Sequence, residues 1–345
     1  MQCIANRQEI RMLSSLKRTV RSSALLSRLA LPLYAGYRTW MSARPLVGRI
    51  PRFNGDARLP VVKLTTLAEY QRWSQEQSSE LQGRERAEQS LMPRQFGEFA
   101  TEGYCALCER ATVFNSSFDY AVKDRDSRAI PNLREHLVCV HCRLKNRVRA
   151  ALQLFLQEFV PESGRPVYIS EQLTRTYRWM RGRLHSVSGS EYLGDEIPLG
   201  ASLRGIRNED LGRLTWSDGA FDFMLSFDVL EHVPDAGACF REMCRCLGPG
   251  GRLLFTVPTN LDRHETTVRA VMEPDGTIKY LLEPEYHGGN LKDPSQGTLC
   301  FRYFGWDVLS HLREAGFARA EIWLYWSQYL GYMGGTQCVI AAYNN

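Results

Sequence analysis

The chain has 345 residues, of which 44% are hydrophobic and 23% are charged, a composition typical of a globular protein. Its formal net charge is +5, but residues 1–52 hold ten Lys or Arg residues and only one acid, Glu9. The rest is mildly acidic, which excludes a broad basic surface for nucleic acid. Ten cysteines in a chain this long do not indicate a disulfide scaffold. No stretch reaches about 18 apolar residues, so no transmembrane helix is expected.

Residues 1–52 form a basic segment in which Leu13, Leu16 and Val20 recur at helical spacing. Such a segment is typical of peripheral contact with an anionic membrane, but a solvated arm has the same composition, and both interpretations stay open. The segment is also rich in Arg, contains Ser and is poor in acids, as an organellar transit peptide is. We expect a cytoplasmic protein in which this basic amphipathic arm can contact the inner face of a membrane.

The next two segments differ in character. Residues 53–102 include "SQEQSSELQGRERAEQS", which predicts a polar helical linker with little surface to bury. Residues 103–160 contain two Cys-x-x-Cys pairs and then "RVRAALQLFLQEFV", whose apolar positions predict a helix that stops at Pro161. We therefore expect a small cysteine module and a connecting helix before the main domain.

Strands and helices alternate in the predicted main domain, residues 161–345. "RPVYIS", "FDFMLSFDVL" and "GRLLFTVP" predict buried strands, and "AGACFREMCRCL" and "FGWDVLSHLREAG" predict helices between and after them. "FARAEIWLYW" and "GTQCVIAAY" predict the last two strands. This alternation is typical of an α/β fold with a parallel sheet covered by helices on both faces.

Cys105 and Cys108 form one pair and Cys139 and Cys142 another, with thirty residues between the pairs. Two such knuckles can present four thiolates to one Zn²⁺, and a site closed by four thiolates has no open position for chemistry. We therefore predict a structural zinc site. The alternative, a redox Cys-x-x-Cys, would not need two copies. Four thiolates and Zn²⁺ carry a net −2, which the cations that follow can offset: Arg143, Lys145, Arg147 and Arg149.

Asp228, Glu231 and His232 end the strand pattern "FDFMLSFDVLEHV". A buried strand has no need of such residues. In open α/β sheets, ligands bind beyond the carboxyl ends of the strands. These side chains are therefore candidates for a ligand crevice.

The stretch around this strand resembles the central half of class I S-adenosylmethionine-dependent methyltransferases. In that family an acid precedes a strand that ends Leu-Glu-His, and Leu-x-Pro-Gly-Gly opens the next strand. The matching residues here are Asp210, Asp218, Phe221–Asp222, Leu230–Glu231–His232, Leu247 and Pro249–Gly250–Gly251. The resemblance covers residues 103–345, and its cysteine pairs are similar to those of a bacterial subfamily with an N-terminal four-cysteine zinc knuckle.

The resemblance implies a Rossmann-like class I methyltransferase sheet, preceded by the zinc knuckle and the basic arm. It also implies S-adenosylmethionine as cofactor and transfer of a methyl group to oxygen or nitrogen. The family pattern would place Glu191 on the ribose hydroxyls and Asp210 on the adenine amino group, with Asp228 in the pocket wall. The acceptor is predicted to be a small molecule or a glycan.

One feature departs from the family pattern. Most class I methyltransferases have a Gly-x-Gly turn after the first strand, but here the turn reads "VYISEQLTR" and contains no glycine. Ser170, Glu171 and Gln172 would have to hold the methionine end of the cofactor instead. This departure supports a rival interpretation, in which a non-catalytic binding protein keeps the methyltransferase fold.

Two histidines are candidate catalytic residues. His232 could act as a general base, since imidazole titrates near neutrality, although it could equally shape the strand end. His287 lies in the glycine-rich "PEYHGGN" loop, which we expect to cover the acceptor. A nicotinamide oxidoreductase is a further rival, but the chain lacks Gly-x-Gly-x-x-Gly and has the Leu-Glu-His strand end.

Overall fold

The computed structural model describes residues 57–93, 97–119, 121–123, 129–159, 164–288 and 297–345. The chain divides into two units. The larger comprises Gly48–Pro284 and Cys300–Asn345. The smaller comprises Met1–Val47 and Glu285–Leu299, of which residues 285–288 and 297–299 are described. The predicted basic arm lies outside the described residues.

Six α-helices and twenty short or long strands are found among the described residues. The helices are α1 (Leu67–Glu76), α2 (Ser78–Leu91), α3 (Asn146–Leu154, continued by a π-helical turn Phe155–Phe159), α4 (Arg175–Arg181), α5 (Ala236–Cys246) and α6 (Val308–Glu314). The strands are β1 (Val61–Leu64), β2 (Phe99–Cys105), β3 (Arg110–Ser116), β4 (Val122–Lys123), β5 (Ala129–Ile130), β6 (Val138–Cys139), β7 (Val167–Ile169), β8 (Val187–Gly189), β9 (Ser202–Leu203), β10 (Ile206–Arg207), β11 (Phe221–Phe227), β12 (Leu247–Thr256), β13 (Thr267–Val268), β14 (Ala270–Met272), β15 (Ile278–Tyr280), β16 (Tyr286–His287), β17 (Thr298–Leu299), β18 (Arg302–Tyr303), β19 (Arg319–Ser327) and β20 (Tyr332–Tyr343).

A seven-stranded sheet in the order β1-β19-β20-β12-β11-β7-β8 forms the centre of the larger unit. The strands β8, β7, β11 and β12 are parallel, whereas β20, β19 and β1 are each antiparallel to their neighbours. The predicted α/β fold is confirmed, but the sheet is mixed rather than wholly parallel. The loop between β19 and β20 is too short for a parallel crossover, so these strands form a hairpin.

Alternate residues of the central strands enter two cores on opposite faces of the sheet. Ile169 and Leu225 belong to the core that contains α3 and the cysteine module. Tyr168 and Met224, their immediate neighbours in sequence, belong to the core that contains α5 and α6. This period of two residues explains why both strands carry apolar side chains on both faces: successive side chains point alternately into the two cores.

Side-chain caps start two helices shortly after the strands end. Thr174 Oγ1 accepts from the amide of Tyr177 at 3.2 Å and begins α4. Asp235 Oδ1 accepts from the amide of Ala238 at 2.9 Å and begins α5. These caps satisfy amide groups that have no partner in the first helical turn, and they leave short loops at the carboxyl ends of β7 and β11.

The segment predicted as a linker contributes directly to the sheet. It contains α1 and α2, as its polar helical pattern predicted, but also β1, which pairs with β19 at the edge of the sheet. The four-residue stretch "VVKL" is too short to be recognised from its periodicity. No helix among the described residues is long and apolar enough to cross a membrane.

Candidate cofactor site and cysteine centre

The first loop of the sheet follows β7 and takes an ordinary backbone path without glycine. No residue from Ser170 to Thr174 has a positive φ, so the loop does not need the conformational freedom that glycine provides. Ser170 Oγ donates to Ser226 Oγ at 2.9 Å, which ties the loop to β11. The loop instead passes close to Gly189 in β8. A Cβ at Gly189 would lie 2.6 Å from the carbonyl oxygen of Glu171, so glycine is needed at that position.

Glu191 holds this loop from the neighbouring strand. Its Oε1 atom accepts from the backbone amides of Gln172 and Leu173, each at 2.7 Å. Burial raises the pKa of the Glu191 carboxyl, and these two hydrogen bonds offset the rise only in part. The carboxylate that was predicted to bind the ribose therefore also shapes the first loop, and no hydrogen bond to its Oε2 atom is found among the described residues.

Gln172 contacts Glu191, and Asp210 follows the residue that Glu191 pairs with. The Gln172 side chain accepts from the amide of Arg207 and donates to the carbonyl of Gly205, each at 2.9 Å. A parallel bridge joins Glu191 to Asn208, so Asp210 lies two residues beyond Glu191 in register. Asp210 Oδ1 accepts from the amide of Gly212 at 2.9 Å, and its side chain is 30% exposed.

Asp228 is the most constrained of the predicted site residues. It follows β11 directly with a φ of 52°, a conformation that few residues other than glycine adopt. Its carboxylate accepts two bonds from Arg134, at 2.8 and 2.9 Å, and one from Thr256 Oγ1 at 2.7 Å. Arg147 Nε lies 3.1 Å from Oδ2. Although burial opposes ionisation, the two guanidinium groups hold the pKa of Asp228 well below its usual range.

The structure thus gives Asp228 protein partners that the sequence did not indicate. Arg134 and Arg147 come from the cysteine module and from α3, so Asp228 links both to the sheet. A network forms around Glu135, whose carboxylate pairs with Arg134, Lys145 and Arg147. The role of Asp228 as a wall of the cofactor pocket remains a prediction.

Glu231 and His232 lie in the loop after β11. The Glu231 side chain is 1% exposed, and burial together with the charge of Asp228 raises its pKa well above the usual range. His232 Nε2 lies 3.6 Å from Glu231 Oε1. His287 belongs to the smaller unit, where its Nε2 atom lies 2.8 Å from Glu285 Oε1. The catalytic roles of both histidines remain predictions.

Three buried polar atoms in this region have no hydrogen-bond partner in the described structure: Glu171 Oε1, Arg147 Nη1 and Glu231 Oε2. Native proteins pair most buried polar atoms with protein, water or a ligand. Burial also raises the pKa of Glu171 to about 7. Sequence reasoning missed Arg147 because a run of alternating cations after a cysteine pair does not reveal which cation reaches which acid.

The four predicted zinc ligands come together. The Sγ atoms of Cys105 and Cys142 are 3.9 Å apart, those of Cys108 and Cys139 are 4.0 Å apart, and all four lie within 4.8 Å of one another. Tetrahedral coordination with metal–sulfur bonds of about 2.3 Å requires sulfur atoms about 3.8 Å apart. The donor set and its spacing therefore fit one Zn²⁺.

The cations after the cysteines have different partners. Arg149 is fully buried, its guanidinium lies 4.0 Å from the ring centre of Phe114, and it donates to the carbonyls of Leu137, Leu330 and Gly331. Lys145 and Arg147 instead pair with Glu135. The prediction that all four cations offset the thiolate charge was too broad, because two of them have carboxylate partners.

A cavity of about 660 Å³ lies at the opposite edge of the sheet and contains none of the predicted site residues. Its lining comes from β1, the end of β19, α1, α2 and β2, and includes Trp73, Arg84 and Trp326. The candidate site and this cavity are therefore separate features of the larger unit.

The mixed sheet, with helices on both faces and acids at its parallel strand ends, defines an α/β methyltransferase fold of class I. Residues 105–311 match the family model described as a methyltransferase domain, which is more than half of the chain. The chain belongs to this family, and the match confirms the predicted fold class. No curated protein matches the chain.

Several solved structures are similar to the chain at low identity. An S-adenosylmethionine-dependent methyltransferase from Mesorhizobium loti is 16% identical, with a TM-score of 0.35 over 56% of this chain and 98% of that one. A 1,6-didemethyltoxoflavin-N1-methyltransferase from Burkholderia thailandensis is 16% identical, with a TM-score of 0.36 over 57% and 78%. A phosphoethanolamine N-methyltransferase from Haemonchus contortus is 14% identical, with a TM-score of 0.33 over 58% and 52%. No functional conclusion follows from similarities this low.

Proposed function

We propose that this protein is an S-adenosylmethionine-dependent methyltransferase that methylates oxygen or nitrogen of a small-molecule or glycan acceptor. One observation, together with membership of the methyltransferase family, carries the proposal. The loops after β7 and β8 meet at Glu191, and the bridge to Asn208 brings Asp210 alongside. Carboxylates are good acceptors for the ribose hydroxyls and the adenine amino group.

The buried polar atoms beside this site provide a test of fit. A cofactor with charged groups needs donors and acceptors that the protein does not already use. Arg147 Nη1 and Glu171 Oε1 are such atoms, and Glu191 retains Oε2 although its Oε1 is engaged. The residues therefore suit the cofactor, which would supply an electrophilic methyl group. The protein would orient the acceptor atom and exclude water, and His232 or His287 could take the acceptor's proton.

The first experiment is a calorimetric titration of the purified full-length protein with S-adenosylmethionine. Glu191→Ala should weaken binding by about 1–3 kcal/mol, the usual scale of a hydrogen bond to a charged group. The same change should also destabilise the first loop, since two amides lose their acceptor. Asp210→Ala is the comparison, because its carboxylate holds only its own turn and Arg213. It should weaken binding with a smaller change in unfolding free energy.

The rival function, a non-catalytic binding protein with this fold, is favoured by one specific feature. Glu191 Oε1 serves the loop rather than standing open for a ligand. If the folded wild-type protein shows no binding at millimolar cofactor, the rival replaces the methyltransferase proposal.

We further propose that the four cysteines hold one structural Zn²⁺. The sulfur spacing supports this, and so does the buried Arg149, whose positive charge lies near the thiolates. Metal binding at such sites is coupled to folding.

A further inference from the structure

Near the carboxyl ends of β7 and β11, a cation and an acid come together that each have one polar atom without a partner among the described residues. In the register of these strands Leu225 pairs with Ile169, and the hydroxyls of Ser170 and Ser226 are in contact. Glu171 therefore lies level with Phe227, immediately beside Asp228. Arg147 reaches the same place from α3, since its Nε atom is 3.1 Å from Asp228 Oδ2.

Each of the two side chains has a buried polar atom that the protein leaves unused. The Arg147 side chain is 12% exposed, and its Nε atom bonds Glu135 while its Nη1 atom has no partner among the described residues. Glu171 Oε1 has none either. An unsatisfied buried polar atom destabilises the folded protein, because it has lost its hydrogen bonds to water. A donor on α3 and an acceptor in the first loop, both without a partner, therefore indicate a ligand that offers an acceptor and a donor in return.

The charges around Arg147 and Glu171 indicate the kind of ligand that fits there. Arg134, Lys145 and Arg147 contribute +3, while Glu135 and Asp228 contribute −2, which leaves +1. Burial and the charge of Asp228 raise the pKa of Glu231 well above its usual range, which disfavours a further negative charge here. The Glu171 carboxylate brings the total to zero, so the site suits a ligand that carries one charge of each sign, and the ligand's carboxylate could accept from Arg147.

We propose that Arg147 Nη1 binds the carboxylate, and the Glu171 carboxylate binds the ammonium group, of the amino-acid end of the cofactor. This inference rests on the proposed function and deepens it. In place of a glycine-rich turn that presents backbone atoms, the chain uses two side chains of opposite charge. An α-amino acid group matches them because it carries an anion and a cation on adjacent carbon atoms.

The test compares two ligands on the same protein. S-adenosylhomocysteine carries the amino-acid group, whereas 5′-methylthioadenosine keeps the adenine, ribose and sulfur but lacks it. Calorimetry on the full-length protein should show that Arg147→Gln and Glu171→Gln each weaken the binding of S-adenosylhomocysteine by about 10-fold or more. This is the usual effect of losing a hydrogen bond to a charged group. Both variants should bind 5′-methylthioadenosine within about 2-fold of wild type.

Arg134→Gln is the matched control. It removes a cation from the same network, but Arg134 already uses both Nη atoms on Glu135 and Asp228, so it should not distinguish the two ligands. Arg147→Lys keeps the charge beside Asp228 if Arg147→Gln fails to fold, and it should still show the selective loss. Equal losses for both ligands, or no loss, would overturn the inference and leave the proposed function standing. Failure of the folded wild type to bind either ligand would overturn both.

Discussion

The structure predicts that Asp228 fastens the cysteine module to the sheet. Its carboxylate receives two bonds from Arg134 and one from Thr256, with Arg147 at 3.1 Å, and its side chain is 13% exposed. The perturbation is Asp228→Asn, which keeps the shape and removes the charge. One amide oxygen can still accept, but the amide nitrogen then faces guanidinium groups.

The expected loss of unfolding free energy follows from the burial of the ion pair between Asp228 and Arg134. Removing one partner of a buried ion pair costs about 3–5 kcal/mol, because the remaining charge stays desolvated. Asn tolerates a positive φ somewhat better than most residues, so we expect the lower end, about 3 kcal/mol. At a urea m-value of about 3 kcal/mol/M, this lowers the unfolding midpoint by about 1 M.

The assay is urea unfolding of the zinc-loaded protein, with Asp222→Asn as the control. Asp222 lies in the same strand and pairs with Arg165, whose side chain is 43% exposed. An exposed pair contributes about 0–1 kcal/mol, so this control should shift the midpoint by about 0.3 M or less. A double-mutant cycle of Asp228→Asn with Arg134→Gln should show strong coupling, since the two changes remove the same bonds.

The pH dependence gives a second check. Because the folded pKa of Asp228 is depressed, its contribution is present above the unfolded pKa of about 3.9 and is lost only as pH falls through the lower folded value. The difference between wild type and Asp228→Asn should therefore be constant from about pH 5 to 8. Equal urea midpoints for wild type and Asp228→Asn would refute the reasoning, and so would additive effects of Asp228→Asn and Arg134→Gln in the double-mutant cycle.

Four further predictions concern other parts of the chain. Elemental analysis should find about one zinc per chain, and a metal-free chain that is fully folded over residues 103–150 would contradict the zinc site. Glu171 has a pKa of about 7 because of burial, with Arg147 and Glu191 facing it. Its native carboxyl thus holds a proton that the unfolded chain loses above about pH 4.5. The free energy of unfolding should fall by up to about 3 kcal/mol as pH rises to 7. Urea unfolding of Glu171→Gln should lack this pH-dependent decrease. His287→Ala should lower turnover much more than cofactor affinity; lost cofactor binding would assign His287 to structure. Deleting residues 1–52 should reduce sedimentation of the protein with anionic liposomes, and the reduction should be larger at low salt. Equal sedimentation of the full-length and truncated proteins would show that the segment does not bind the membrane and acts only as a tether.

Local patterns predicted those parts of the molecule that depend on local physics. Runs rich in apolar residues identified β11 and β12, since a strand buried on both faces needs apolar side chains at successive positions. The spacing of the cysteines identified a four-sulfur cluster, because a knuckle is a short turn within a few residues. The acids after the strands were found because parallel strands bring their carboxyl ends to one edge of the sheet.

Parts that depend on distant pairing could not be predicted in this way. The stretch "CRLKNRVR" contains similar cations at positions 145, 147 and 149, yet Lys145 pairs with Glu135, Arg147 also reaches Asp228, and Arg149 is buried against Phe114. Their partners lie up to about 180 residues away in the chain. The hydrogen bonds from the first loop to Glu191 were hidden for the same reason, because they join segments with a helix and a strand between them.

The missing glycine turn and the strained Asp228 have a common explanation. A Gly-x-Gly turn brings backbone amides close to a ligand by adopting conformations that other residues avoid. Here the first loop has no positive φ, and its amides donate to Glu191. The positive φ lies at Asp228, directly after β11, which is the neighbour of β7 in the sheet. Such a conformation persists only where the surroundings enforce it, and the Arg134, Arg147 and Thr256 bonds enforce this one. Because Arg134 belongs to the cysteine module, the shape of the strand edge where the cofactor is proposed to bind depends on this module.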